Sequence, residues 1–377
     1  VAASAGDTLV TVAGDARWDR HGWSMALERA AAKSGQFDWV GDPPLALAGD
    51  RHGVVFDRFA AHDGAARLAL RGRWAAAGGE YEWSGEARGL DLARLGLPAG
   101  RGLAGAADAE LRVEGRYEDP RWSFTGRASR PGVRGHRADS LSLALAGGHG
   151  RLEVRSLRFA LAGGVFEGEA RFGDTAAPGP DTLTGEGVRR WLASAVRWQG
   201  SVRAEAMPLD RLGRLTERAR GVSGRVSGTL TLAGRPGEPE LELRAAAAPV
   251  AWDSLRAERL VLRAGYRDGQ LTVPELRLTR GDIVSTASGS MPLTLALGAR
   301  PEVPDRAMSW KVDLANGDLA LVPLLVPQIA GARGRFDLHA TLAGTPRHPD
   351  LAGTARARDG QMLITGREEL LEDIHAD

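Results

Sequence analysis

The chain has 377 residues, which is too many for one ordinary core and enough for two or three units. Its 49 basic and 48 acidic residues nearly cancel, so no strong field draws it to nucleic acid or to an anionic surface. The absence of cysteine excludes disulfides and thiolate metal sites.

The first part of the chain, residues 1–100, indicates an incomplete or divergent β unit. Leu68 and Leu70 alternate with polar or small residues there, which is the pattern of a half-buried strand. Around Leu90 the leucine spacing changes from two to three, so we expect a strand that runs into one or two helical turns. Leucine-rich elbows of the same kind precede the later repeats, near Leu209 and Leu321.

A glycine–proline signature, G-x2-G-x9-G-x4-P, then occurs three times with identical spacing, starting at Gly102, Gly221 and Gly331. Between its second and third glycines, aliphatic residues alternate with other residues, which predicts a half-buried strand. The G-x4-P segment predicts a turn in which proline ends the strand pairing, because proline fixes φ and has no N–H. A second strand is expected to restart two residues after each proline.

Alternation continues downstream of each signature, interrupted by hairpin signals such as Asp268-Gly269. The pattern predicts meanders of antiparallel strands added end to end. We therefore predict a divergent or partial N-terminal β unit, two full β repeats and the truncated start of a third, at residues 1–100, 101–218, 219–329 and 330–377.

The predicted fold class is all-β. Each strand has an aliphatic face that must be hidden from water, and the sequence offers few helices to cover it. Aromatic residues make up 6% of the chain, and the pattern repeats along the sequence instead of closing. Both features favour a long antiparallel sheet curled into a taco-like groove, with short helical elbows between repeats. A dry β-sandwich or solenoid, acting as a scaffold or adhesin, is the alternative.

An aliphatic groove would be suited to hydrocarbon, because exposing a lipid chain to water costs about 0.8 kcal/mol per CH2 group. The residues predicted to line the groove are Leu111, Val113, Leu143, Leu157, Phe159, Leu230, Leu232, Leu262, Leu278 and Leu342.

The recurrent glycine-started strand, the G-x4-P turn and the leucine-rich elbow resemble the AsmA-like superfamily, and within it most closely the TamB family of translocation and assembly module subunits. The likeness covers most of residues 81–377. It implies a hydrophobic β-groove that carries phospholipid between the inner and outer membranes or supports outer-membrane protein assembly. It also implies a periplasmic location, an inner-membrane anchor and an outer-membrane barrel partner of the Omp85 family, similar to TamA.

No motif in the sequence favours an enzyme. Gly100, Gly102 and Gly105 fit G-x-G-x-x-G, but a strand and not a helix is predicted to follow, which argues against dinucleotide binding. The histidines are scattered without a metal-ligand spacing, and no pair of carboxylates stands out. We therefore expect no catalytic residue, no metal and no cofactor.

The longest uncharged apolar run, from Leu319 to Ala330, is interrupted by two prolines. It is too short to span a bilayer, which takes about twenty residues. The chain is thus expected to be a piece of a longer protein, with its anchor and targeting segments elsewhere.

Overall fold

The structure, a computed structural model, describes residues 2–376 except 6–7, 35–36, 44, 77, 95–102, 117–118, 134–135, 149, 174–190, 192–196, 214–220, 253–254, 282, 296–300, 319–328 and 365–369. The chain divides into two compact units, Val1–Trp191 and Leu192–Asp377. The predicted repeat boundaries remain predictions drawn from the sequence signature.

Unit 1 is built from antiparallel strands joined by short connections. The strands are β1 (Ala2–Ala5), β2 (Thr8–Trp18), β3 (Trp23–Ser34), β4 (Phe37–Gly41), β5 (Leu45–Asp50), β6 (Gly53–Asp63), β7 (Ala66–Ala75), β8 (Glu80–Asp91), β9 (Ala104–Arg116), β10 (Asp119–Val133), β11 (His136–Arg137), β12 (Ser140–Gly148), β13 (Arg151–Leu161) and β14 (Gly164–Gly173). Consecutive strands pair, except that short β4 bridges β3 and β6, and β11 extends the end of β10.

Unit 2 has the same organisation. Its strands are β15 (Trp198–Pro208), β16 (Val222–Arg235), β17 (Glu238–Trp252), β18 (Leu255–Ala257), β19 (Arg259–Arg267), β20 (Gln270–Arg280), β21 (Ile283–Pro292), β22 (Ser309–Asp318), β23 (Ile329–Gly344), β24 (Pro349–Ile364) and β25 (Leu370–Ala376). Each pairs antiparallel with the next, and β18 is a short addition to the end of β17.

Helix is limited in the described residues to two short elbows and to the single residue Trp191. A 3₁₀ turn, Leu92–Arg94, follows β8, and a helix, α1 (Leu209–Gly213), follows β15. Both occur where the leucine spacing predicts them, whereas the elbow predicted near Leu321 lies outside the described residues. The predicted all-β class, a long antiparallel meander with short helical elbows, is confirmed.

The glycine–proline signature folds the same way in all three copies, but proline does not end the pairing as predicted. The third glycine is the register partner of the proline: Gly115 faces Pro120, Gly234 faces Pro239 and Gly344 faces Pro349. The strand restarts at or just before the proline, because a proline at the beginning of a strand need not donate to the ladder. The three glycines have φ of 123°, 97° and 85°, a region that disfavours other residues.

β-Bulges recur on every second strand through most of each meander. An extra residue lies on β3, β6, β8, β10 and β13 in unit 1, and on β15, β17, β20, β22 and β24 in unit 2. The alternation breaks down in the last strands, since β23 and β25 each carry an extra residue too. The second glycine of the signature lies opposite or next to the position facing a bulge in each copy, at Gly105, Gly224 and Gly334, with φ of 109°, 126° and 121°. A Cβ on Gly105 would lie 2.8 Å from the carbonyl oxygen of Arg130 in the bulged strand. The signature thus places one glycine at the bulge and another at the hairpin.

The fully buried side chains lie beside these bulges. Leu45 and Met207 are the largest of them among the described residues, and Met207 immediately follows the bulge of β15. Elsewhere, one face of each sheet is mostly half-buried and the other mostly exposed. Because β-bulges bend the strands that contain them, their recurrence is expected to curve each unit.

Candidate functional site: the apolar face of each unit

The register of the strands aligns apolar residues on one face throughout unit 1. Residues opposite each other in an antiparallel ladder project from the same face. Leu111 faces Phe124, and Phe124 in turn faces Leu145 on the next strand. Through these pairs all five lining residues predicted in this unit come to one face: Leu111, Val113, Leu143, Leu157 and Phe159.

Unit 2 brings its five predicted lining residues to one face in the same way. On β16, Leu230 and Leu232 face Leu243 and Leu241. The face continues through the later ladders to β23. The predicted residues it includes are Leu230, Leu232, Leu262, Leu278 and Leu342.

No second layer buries this face in the described part of unit 1. Leu111 is 45% exposed, Trp83 43% and Leu70 37%, although all three belong to the apolar face. Such exposure is unusual for large apolar side chains that lie side by side, because contiguous apolar surface is costly in water.

The exposed side chains surround one concavity of about 500 Å³ on β7, β8 and β9. Gly85 forms part of its floor, between Leu70 and Leu111 on the neighbouring strands. The residues that line the concavity are Leu70, Trp74, Tyr81, Trp83, Ser84, Gly85, Leu111 and Val113. Sequence reasoning identified two of these, Leu111 and Val113; the others lie in the N-terminal part, where alternation at Leu68 and Leu70 was the available signal.

Aromatic rings on the apolar face lie over glycines of the adjacent strand. A Cβ on Gly147 would come 2.3 Å from the indole of Trp122, and a Cβ on Gly49 would come 2.7 Å from that of Trp23. At Gly72, the missing side chain lets Trp83 meet Phe56 across the intervening strand, with ring centroids 4.7 Å apart. The rings therefore cover the backbone of the sheet, and this pairing was not predicted from the sequence. Trp310 lies over Gly289 in the same way. Tyr81 and Trp198 are the register partners of Gly115 and Gly234.

The opposite face carries cross-strand ion pairs. The carboxylate of Glu82 forms ion pairs with Arg73 at 3.2 Å and with Arg112 at 2.7 Å, and these two arginines lie on the two neighbouring strands. The hydrogen bond from Arg112 is the main reason why the pKa of Glu82 is lowered. Similar pairs join Arg171 to Glu153 and Arg267 to Glu240. These exposed pairs contribute little individually, but they keep this face wet and distinguish it from the apolar face.

The described residues offer no metal centre, since they contain no group of three or more His, Asp or Glu side chains placed to hold an ion. None of the helices in the described part of the chain has the length and apolar character required to cross a bilayer.

Comparison of the chain with protein-family models, with curated proteins and with solved structures finds no match.

Proposed function

We propose that this chain is a segment of an AsmA-like, TamB-type bridge protein whose apolar sheet faces hold the acyl chains of phospholipids. The protein carries the lipids along the groove between the inner and outer membranes, supports outer-membrane protein assembly, or does both. The segment lies in the periplasm, and an Omp85-family barrel similar to TamA is the outer-membrane partner.

One observation carries the proposal: the apolar face of unit 1 is half open around the 500 Å³ concavity. A dry sandwich or solenoid would bury Leu70, Trp83 and Leu111, whereas these side chains are more than a third exposed. An open apolar surface of this kind favours a removable hydrocarbon occupant over a permanent core.

The mechanism is passive. Each CH2 group that moves from water onto the apolar face gains about 0.8 kcal/mol, so a continuous face removes most of the barrier to transporting an acyl chain. The headgroup stays in water, because the groove is open. No catalytic group takes part.

Photo-crosslinking in cells tests the proposal directly. A photoreactive residue at Leu232 or Leu143 should trap phospholipid, because both positions project from the apolar face. The matched control is Thr231, the exposed neighbour of Leu232 on the opposite face, which should trap none. Absence of lipid at both Leu232 and Leu143, with the protein folded, would refute lipid transport.

A charged side chain placed in the groove tests whether the apolar path for lipid is continuous. Leu232→Arg should block lipid passage, because a guanidinium in an apolar groove is costly to desolvate and obstructs the chain. Thr231→Arg adds the same charge to the exposed face and should leave transport intact. Full transport by Leu232→Arg would mean that lipid travels by another route.

A further inference from the structure

The two long edges of each sheet differ. One edge, here called the turn edge, carries the hairpins after β2, β5, β7, β9 and β12 in unit 1 and after β16, β19 and β23 in unit 2. The other, the elbow edge, carries the helical elbows after β8 and β15 together with tight hairpins after β6, β13 and β20. An amphiphile held on the apolar face has to direct its polar end toward one of them.

Tryptophan and tyrosine concentrate on the apolar face near the turn edge. Trp18 pairs with Trp23 next to one hairpin, and Trp74 pairs with Tyr81 next to another. In unit 2, Tyr266 pairs with Leu271 beside the hairpin after β19. Trp39, on β4, and Trp252, at the end of β17, are exceptions whose register positions lie at the elbow edge. Trp122, Trp198 and Trp310 also lie toward the turn edge.

Most phenylalanines on the same face lie farther from the turn edge, although Phe172 lies next to it, opposite Leu152. Phe56 and Phe59 flank the bulge of β6, and Phe124 lies between Leu111 and Leu145. Tryptophan and tyrosine combine an apolar ring with a polar group, so they prefer the boundary between hydrocarbon and wet headgroups, whereas phenylalanine has no such preference. The tryptophan and tyrosine rings therefore lie mostly where the headgroup level of a bound lipid is expected, and most phenylalanine rings lie where its hydrocarbon is expected.

Charged surface meets this aromatic row at the turn edge from the opposite face. A cleft of about 950 Å³ in unit 1 is lined mainly by residues of that face, among them Arg73 and Glu82, and reaches Trp74 and Tyr81 at the edge. A cleft of about 550 Å³ in unit 2 is likewise lined mainly by opposite-face residues such as Arg267, and it reaches Tyr266. The aromatic row of the apolar face therefore ends at wet, charged surface.

The elbow edge is covered at its two helical elbows. The 3₁₀ turn packs against β9, and Arg94 in it binds Asp63 on β6 at 2.6 Å. In unit 2, α1 packs against β16 beside buried Met207. A headgroup at either elbow would have to displace packed side chains.

We infer that the turn edge is the headgroup edge: an amphiphile on the apolar face of either unit places its polar end among the tryptophan and tyrosine side chains there and its hydrocarbon toward the elbow edge. The inference rests on the proposed function and adds the orientation of the bound molecule.

The cysteine-free chain allows a direct test by site-directed labelling. Leu271 and Leu278 are both half-buried on the apolar face of β20, and they lie near the turn edge and the elbow edge respectively. Leu271→Cys and Leu278→Cys are prepared separately in the full chain, labelled with a small fluorophore and mixed with phosphatidylcholine carrying a nitroxide. The nitroxide is on the headgroup in one sample and near the end of an acyl chain in the other. Thr272→Cys, on the exposed opposite face, is the control.

The headgroup nitroxide should quench position 271 more strongly than 278, and the chain-end nitroxide should reverse this order. Thr272→Cys should be quenched by neither. Equal or inverted quenching at 271 and 278 would overturn the orientation while leaving lipid binding in place. Absence of quenching at both positions by both lipids would overturn the proposed function and the orientation together.

Discussion

The indole of Trp122 occupies the space that a side chain at Gly147 would need. The two residues are register partners on β10 and β12, and a Cβ on Gly147 would lie 2.3 Å from Cε2 of the ring. Because the ring covers a glycine, it lies against the sheet and leaves the space above the apolar face open. The glycine thus determines where the aromatic ring lies.

Gly147→Val should displace this ring and destabilise unit 1 by about 1–3 kcal/mol, which is typical of overpacking. Chemical denaturation measures the change. Trp122→Leu in the same chain should relieve the clash, so the double variant should be more stable than the sum of the single changes predicts, by about 0.5–3 kcal/mol. If the changes in unfolding free energy of the two single variants simply added up in the double variant, the ring and the glycine would not be coupled.

The hairpin glycine of the signature allows a sharper comparison within one turn. Gly234 has φ of 97°, and a Cβ there would lie 2.5 Å from the carbonyl oxygen of Glu238. Gly237, in the same turn, has no atom within 4 Å of its Cβ position. We expect Gly234→Ala to lower the free energy of unfolding by at least about 1 kcal/mol, since positive φ disfavours a Cβ. Gly237→Ala should change it by less than about 0.5 kcal/mol.

The same denaturation experiment decides the outcome. Equal effects of the two alanines would contradict the assignment of the third glycine as a conformational requirement. The corresponding glycines Gly115 and Gly344 should behave like Gly234, because each faces a proline across the same hairpin.

Alternation and hairpin signals were sufficient to predict the all-β class and the shared faces, because strand periodicity is local. Leu230 and Leu232 belong to one face in any strand that contains both, and the Asp268-Gly269 turn fixes how β19 meets β20. The elbow at Leu209 was likewise encoded in leucine spacing.

The bulges and the aromatic–glycine pairs could not be predicted, because both depend on which residues face each other across strands. Arg130 and Ala206 have φ of 47° in bulged strands. Neither residue is a glycine, so the residue type did not indicate the positive φ. Trp122 and Gly147 are brought together only by the register of β10 with β12. The repeated second glycine was the one local signal of a bulge.

Ala206 offers a stabilising change at a bulge. Its φ of 47° costs a residue with a Cβ about 1–2 kcal/mol, whereas glycine loses about 0.5–1 kcal/mol through its more flexible unfolded state. Ala206→Gly should therefore raise the free energy of unfolding by about 0.5–1 kcal/mol. Ala204→Gly, two residues earlier on the same strand, should lower it by about 0.5–1 kcal/mol, because φ at Ala204 is not positive. A loss of stability with Ala206→Gly would show that the bulge is held in another way.

The elbow of unit 1 should loosen in acid. The hydrogen bond from Arg94, with a smaller contribution from the backbone N–H of Asp38, lowers the pKa of Asp63 below its ordinary value. A carboxyl whose pKa is lower in the folded state contributes stability above its unfolded pKa, and this contribution is lost as the pH falls through the folded pKa. The ion pair between the 3₁₀ turn and β6 should therefore persist at neutral pH and weaken below about pH 4. NMR titration of the Asp63 carboxyl should give a pKa that rises toward the ordinary value in Arg94→Gln, while the Asp38 contact keeps part of the shift. An unchanged pKa in that variant would mean that Arg94 does not hold the elbow to β6.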